Sequence, residues 1–217
     1  MRHGRFITFE GGEGGGKSTQ LRRLAETLTA TGVEVVSTRE PGGSTGAEAI
    51  RGLLVSGEAD RWSPMTETLL MYAARRDHLE RIIRPALARG AWVLCDRFAD
   101  STRAYQGVAG ATPPDLIATL EAHVVGDTWP HLTLILDLPV EIGLGRAAAR
   151  AGAETRFESK GEAFHGRLRQ AFLDIATAEP ERCVVIDATQ DLETVCADVR
   201  RAVAERLGAE RLGAELG

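Results

Sequence analysis

Lysine is almost missing from this chain. Of its 26 basic residues, only Lys17 and Lys160 are lysine, and arginine supplies the rest. A chain that drifts toward arginine spares lysine where arginine fails, and position 17 asks for a compact ammonium that fits where a planar guanidinium fork cannot. Cysteine is also scarce. Cys95, Cys183 and Cys196 are an odd number without metal-ligand spacing, so no disulfide framework and no zinc site is expected. All three read as reduced, structural thiols. An excess of positive charge is missing as well. The net charge of −5 excludes a broad nucleic-acid face, though it allows a local cationic pocket. No apolar run approaches the ~20 residues of a membrane span. The opening MRHGRFITFEGG leads straight into a strand-like run without a secretory apolar region, and the expectation is a cytoplasmic protein.

What the chain does have is alternation. Short apolar runs at Arg5–Glu10, Val33–Thr38, Trp92–Asp96, Leu132–Asp137 and Cys183–Asp187 read as strands. Helical patterns lie between and after them, at Ser18–Thr31, Ala47–Leu54, Pro64–Gly90, Pro113–Val125, Val140–Arg150, Gly161–Thr177 and Leu192–Leu207. The runs are continuous and bounded by Gly, Pro or Asp, as strands buried on both faces are. This pattern predicts an α/β fold: a five-stranded parallel sheet flanked by helices, in one domain across residues 1–217. Ligands then belong at the carboxyl ends of the strands. The repetitive end, ERLGAERLGAELG, reads as a fraying extension of the last helix from about residue 208.

The stretch GGEGGGKST at 11–19 holds five glycines, one acid and the first lysine. It contains G-x-x-x-x-G-K-[ST] between a strand and a helix, the context a P-loop requires. Bare backbone at Gly11, Gly12, Gly14, Gly15 and Gly16 lets N–H groups converge on phosphate oxygens. The following helix adds partial positive charge at its start. Lys17 reaches the β and γ phosphates, Ser18 offers a hydroxyl to Mg²⁺, and Thr19 sits near the α-phosphate as an ordinary helix residue. An ATP site is the expectation, with Mg²⁺ as its cofactor.

A P-loop alone does not fix a function. The Asn-Lys-x-Asp element of GTPases is missing, and so is a long apolar run ending in Asp-Glu. A second signature narrows the choice. AWVLCDRFADSTRAYQG, at 91–107, is a buried strand ending in Asp96-Arg97 at the same sheet edge. There Asp96 can help hold the magnesium shell and Arg97 can grip phosphate.

Taken together, the chain resembles the thymidylate kinase family, P-loop nucleoside monophosphate kinases that phosphorylate dTMP. The matching residues are F-E-G-G-E-G-G-G-K-S-T-Q at 9–20, T-R-E-P-G-G at 38–43 and C-D-R-F-A-D-S-T-R-A-Y-Q-G at 95–107. The basic R-A-A-A-R-A-G-A-E-T-R-F-E at 146–158 and V-I-D-A-T-Q at 185–190 complete the match. The resemblance implies that Glu13, an acid in an anion-binding loop, turns away from ATP and accepts a hydrogen bond from the deoxyribose 3′-hydroxyl. It implies that Arg39 and Glu40 face the acceptor phosphate and its magnesium waters, and that Arg51 clamps that phosphate. A position that stacks on the base falls at Met71, or at Tyr72 if shifted by one, four or three residues before Arg75, which would reach the base O4. Ser101, Thr102, Tyr105 and Gln106 form the remaining wall, Tyr105 disfavouring ribose. Gly14 stands where some members carry arginine, so the cations come from a lid at about 146–158, through Arg146, Arg150 and Arg156. With Lys17 and Arg97 they would neutralise the transferring phosphoryl group. Magnesium would contact Ser18, Asp96 and Glu40.

The partners implied are ATP and dTMP, with no nucleic acid and no membrane, and the resemblance implies a homodimer. Two other readings stay open: a kinase for another nucleoside monophosphate, and a P-loop ATPase without a small-molecule acceptor.

Overall fold

The computed structural model describes residues 4–58, 61–110, 112–149 and 161–208. Five parallel strands form the centre. They are β1 (Arg5–Glu10), β2 (Val35–Arg39), β3 (Trp92–Asp96), β4 (Leu132–Asp137) and β5 (Cys183–Asp187), in the order β2-β3-β1-β4-β5. β1 is central because nearly all of it is buried, from Phe6 to Glu10. The alternation of its side chains feeds both faces. Ile7 and Phe9 pack with Leu24 and Leu28 of α1 (Lys17–Ala30) and with Val195, Val199 and Val203 of α9 (Leu192–Leu207). Phe6 packs on the other face with Val93, Cys95 and Phe98.

The remaining helices are α2 (Thr45–Val55), α3 (Pro64–His78), α4 (Arg84–Ala88), α5 (Ala99–Thr102), α6 (Pro114–Val124), α7 (Val140–Ala148) and α8 (Glu162–Ala178). Local chemistry starts several of them. Ser44, Ser63 and Asp191 accept backbone N–H groups at the starts of α2, α3 and α9, filling donors that a helix start leaves open. The five expected strands all form. β2 begins two residues later than expected, because Gly32 takes a positive φ and Val33 still bonds back to Leu28.

The expected single helix from Pro64 to Gly90 is interrupted. A π-helical turn over Leu79–Ile83 separates α3 from α4, with Arg84 N–H donating to the Leu79 carbonyl five residues back. Pro85 has no N–H and its ring crowds the carbonyl four residues earlier, so the turn before it widens. The segment after Asp96-Arg97 is also helical, as α5 and a π-helical turn over Arg103–Val108. Among the described residues all three cysteines are buried and unpaired, and no helix is long and apolar enough to cross a membrane.

Candidate active site

β1 lies where the order of strands reverses, with β3 on one side and β4 on the other. The loop after it therefore opens into the crevice at the carboxyl edge of the sheet. Gly11, Gly14 and Gly16 adopt positive φ, a backbone that side chains resist. The loop wraps so closely that a Cβ on Gly11 would lie 2.4 Å from the Leu136 carbonyl oxygen. Gly12, Glu13 and Gly15 complete the turn.

Lys17 opens α1 and folds back, donating to the carbonyls of Gly12 (2.7 Å) and Gly11 (3.3 Å). Burial, and then the Arg97 charge, push its ammonium down to about 8. Ser18 is exposed at the start of α1 and Thr19 is half-buried. Asp96, half-buried at the end of β3, exerts its charge on Lys17.

Among the described residues, Arg97 is the non-glycine residue with positive φ, at 69°. That backbone lets its N–H bond the Phe9 carbonyl while the guanidinium spans to the glycine loop. Its Nη1 donates to the Gly11 carbonyl (3.0 Å) and to Ser101 Oγ (3.2 Å), and its Nη2 donates to Glu13 Oε1 (2.9 Å). The Tyr105 hydroxyl donates to the same Glu13 oxygen at 2.6 Å, and the Arg97 guanidinium lies 4.9 Å from the Tyr105 ring centre. Burial alone would push the Glu13 carboxyl up, but Arg97 and Lys17 outweigh it, and with Tyr105 they hold it at about 2. Burial would likewise pull the Arg97 guanidinium down, yet Tyr105, Glu13 and Asp96 hold its pKa above the ordinary arginine range. Both protein donors use Oε1, and among the described residues none donates to Oε2.

A second buried array lies behind this one. Arg75 is 2% exposed. Its Nε donates to Glu40 Oε2 (2.7 Å), and its Nη2 donates to the Phe98 carbonyl (3.0 Å) and Thr102 Oγ1 (2.9 Å). Nη1 is buried and has no hydrogen-bond partner among the described residues. Glu40 Oε1 pairs with His78 Nδ1 at 3.0 Å, and His78 Nε2 with Thr38 Oγ1 at 2.7 Å. Gln106 Nε2 donates to buried Glu67 at 2.9 Å.

Other expected site residues are engaged with protein groups. Glu40 turns inward, both oxygens engaged by Arg75 and His78, because α3 packs its basic face against the β2 exit. Tyr72 is buried beneath the Arg75 guanidinium, 4.8 Å away, so its ring offers no open face to a base. Met71 is half-buried on the same helix. Arg39 is exposed and forked onto Glu48, at 3.1 Å to each oxygen. Arg51 Nη1 donates to the Pro41 carbonyl at 2.6 Å. Arg146 is exposed and donates to the Ala188 carbonyl at 2.9 Å. Arg150 and Arg156 lie outside the described residues.

The geometry has relatives. The sequence profile described as thymidylate kinase matches residues 9–199. The chain belongs to the thymidylate kinase family. The thymidylate kinase of Caulobacter vibrioides is 69% identical over 208 residues, covering 96% of this chain and 100% of that one. That of Nitrobacter hamburgensis is 56% identical, covering 95% and 91%. The crystal structure of thymidylate kinase from Ehrlichia chaffeensis superposes with a TM-score of 0.77 at 35% identity, covering 93% and 99%. The parallel sheet, its helices and its glycine loop are thus the P-loop nucleoside monophosphate kinase fold of this family.

Three features were not expected. Arg169 of α8 forks onto Asp137 at the end of β4, at 2.7 and 2.8 Å. His165 of the same helix is buried, its Nε2 without a hydrogen-bond partner among the described residues, and lines a small cavity with Gly11, Gly12 and Glu13. Glu10 closes β1 fully buried, accepting the Phe98 N–H (2.7 Å) and the Ser101 hydroxyl (2.6 Å). An acid at the end of an apolar strand is the signal that could have found Glu10, but the glycines right after it carry the stronger pattern. Burial, with the Asp100 charge, pushes its carboxyl up to about 7 against the pull of Ser101, Arg97 and Phe98. Lys17, Arg75 and Tyr105 also lie within its electrostatic reach.

Because Glu10 holds its proton more tightly folded than unfolded, its contribution to stability is full below pH 4.5 and is lost as pH rises through about 7. Thermal melts of the wild type and Glu10→Gln should therefore show the wild-type advantage shrinking between pH 4.5 and 7. A pH-independent difference would contradict this assignment.

Proposed function

We propose that this chain transfers the γ-phosphoryl group of ATP to dTMP, giving ADP and dTDP, in the cytoplasm. The observation that carries the reading is Glu13: an acid inside the phosphate loop, locked in place by Arg97 and Tyr105 with one oxygen left over among the described residues. A loop serving ATP alone gains nothing from a fixed carboxylate. An acceptor hydroxyl on its far side does, because an ionised carboxylate only accepts hydrogen bonds.

The remaining residues take their parts around that pair. Backbone N–H groups from Gly11 to Thr19 cradle the ATP phosphates, and Lys17 leaves the Gly11 and Gly12 carbonyls for phosphate oxygens. Arg97 stands between donor and acceptor phosphates, where charge develops. The acceptor phosphate is already anionic, so no side-chain base is needed and catalysis is positioning plus charge stabilisation. Arg146, Arg150 and Arg156 close over the phosphates. Arg51 and Arg39 hold the acceptor phosphate. The spare Nη1 of Arg75 faces the base O4, Met71 packs on the base, and Ser101, Thr102, Tyr105 and Gln106 wall the sugar and base.

Magnesium fits part of its expected donor set. The exposed Ser18 hydroxyl and the half-buried Asp96 carboxylate are hard oxygen donors at the loop, whereas Glu40 is engaged in its buried pairs. Among the described residues no three His, Cys, Asp or Glu side chains gather to hold a metal unaided, which suits an ion carried on phosphate oxygens and water. When bound, it would neutralise phosphate charge.

A homodimer completes the proposal. Met65 and Leu69, one turn apart on α3, are 45% and 47% exposed, an apolar pair on a helix face that a second copy would cover. Light scattering should give about twice the 23.3 kDa chain mass; a monomer at assay concentration would remove this part.

The deciding assay follows ADP release from ATP–Mg²⁺ with no acceptor, dTMP, dUMP, ribo-TMP, AMP, dCMP or dGMP. Release should depend on dTMP and be near-silent in the blank. Discrimination against dUMP rests on one methyl, worth ~1–3 kcal/mol. Glu13→Ala should raise the KM for dTMP more than that for ATP. Acceptor-independent release would favour an ATPase, and equal losses on both substrates would sink the Glu13 assignment.

A further inference from the structure

The glycine loop touches more than phosphates. Gly14 has φ +70°, and a Cβ there would lie 2.1 Å from the carbonyl oxygen of Gly143, in the first turns of α7. The contact is reciprocal: a Cβ on Gly143 would lie 2.5 Å from the carbonyl oxygen of Glu13. Both glycines are buried. In each case the obstacle is backbone, which cannot swing aside as a side chain can, so one extra methyl would drive α7 from the loop by roughly 1 Å. Gly145, two residues along the same helix, meets nothing within 4 Å and is exposed.

We infer that Gly143 is a positioning residue for phosphoryl transfer, seating α7, and with it Arg146, directly on the phosphate loop. The inference rests on the kinase reading above. α7 is pinned at two points, Gly143 on the Glu13–Gly14 backbone and Arg146 on the Ala188 carbonyl (2.9 Å). The same packing excludes any side chain at position 14.

Comparison of two alanine variants isolates the effect, because alanine favours a helix interior over glycine by up to ~1 kcal/mol at either site. Gly145→Ala should keep wild-type kinetics. Gly143→Ala should lose about ten- to a hundred-fold in kcat, with the KM for dTMP changed by less than about twofold and the melting temperature little altered. A merely structural glycine would move the melting temperature and leave the kinetics of the folded fraction intact. If Gly143→Ala does not fold, hydrogen exchange on the wild type decides. ATP–Mg²⁺ should protect amides of residues 140–148 together with those of the loop. Wild-type kinetics in a folded Gly143→Ala, or nucleotide that protects the loop and leaves α7 unchanged, would overturn the inference. A wild type silent toward dTMP but showing that joint protection would overturn the kinase reading and leave the seat of α7 standing.

Discussion

The ion pair between Arg97 and Glu13 joins the two halves of the site. Its side chains are only 17% and 18% exposed, and its partners come from loops after neighbouring strands. Glu13 belongs to the turn after β1, and Arg97 to the turn after β3. Each is a liability alone, since a buried unpaired charge is costly. Paired, they fix the distance between the glycine loop and the turn after β3. The positive φ of Arg97, the Ser101 hydroxyl and the Tyr105 hydroxyl all serve that one geometry.

Two carboxylates three residues apart show how far environment decides chemistry. Glu10 and Glu13 flank the same glycines, yet burial and Asp100 push Glu10 up to about 7, while Arg97 and Lys17 overcome burial and hold Glu13 at about 2. Glu13 stays an acceptor at any physiological pH. Glu10 faces inward and ties the β3 exit to β1 through Phe98 and Ser101. In the proposed kinase Glu13 meets substrate, while Glu10 holds the turn that places Arg97.

The sheet was legible because buried parallel strands are continuous apolar runs, and the glycine loop because its composition has no packing use. Gly11, Lys17, Arg97 and Tyr105 gather around the glycine loop through Gly11 and Glu13. The interruption at Leu79–Ile83 was hidden, since Pro85 reads in sequence as a tolerable helix residue. The resemblance implied a role for Glu40 at the acceptor phosphate and offered Tyr72 as the alternative to Met71, whereas burial is settled by what packs from elsewhere, here His78 and Arg75. His165 and the Asp137–Arg169 fork lie on elements joined only in three dimensions. The Gly14–Gly143 contact had no signal at all, because an isolated glycine in a helical pattern looks like a weak helix former.

The account stands most directly on Arg97 as a fork rather than a charge. Its two terminal nitrogens reach three oxygens, on Gly11, Ser101 and Glu13, which one lysine ammonium cannot span. Single-turnover phosphoryl transfer should therefore be measured in Arg97→Lys, with the fold checked by circular dichroism. The account predicts a loss of about a hundredfold or more in a folded protein that still binds ATP. Transfer at the wild-type rate would contradict it, showing that the pair between the two loops does not govern the chemistry.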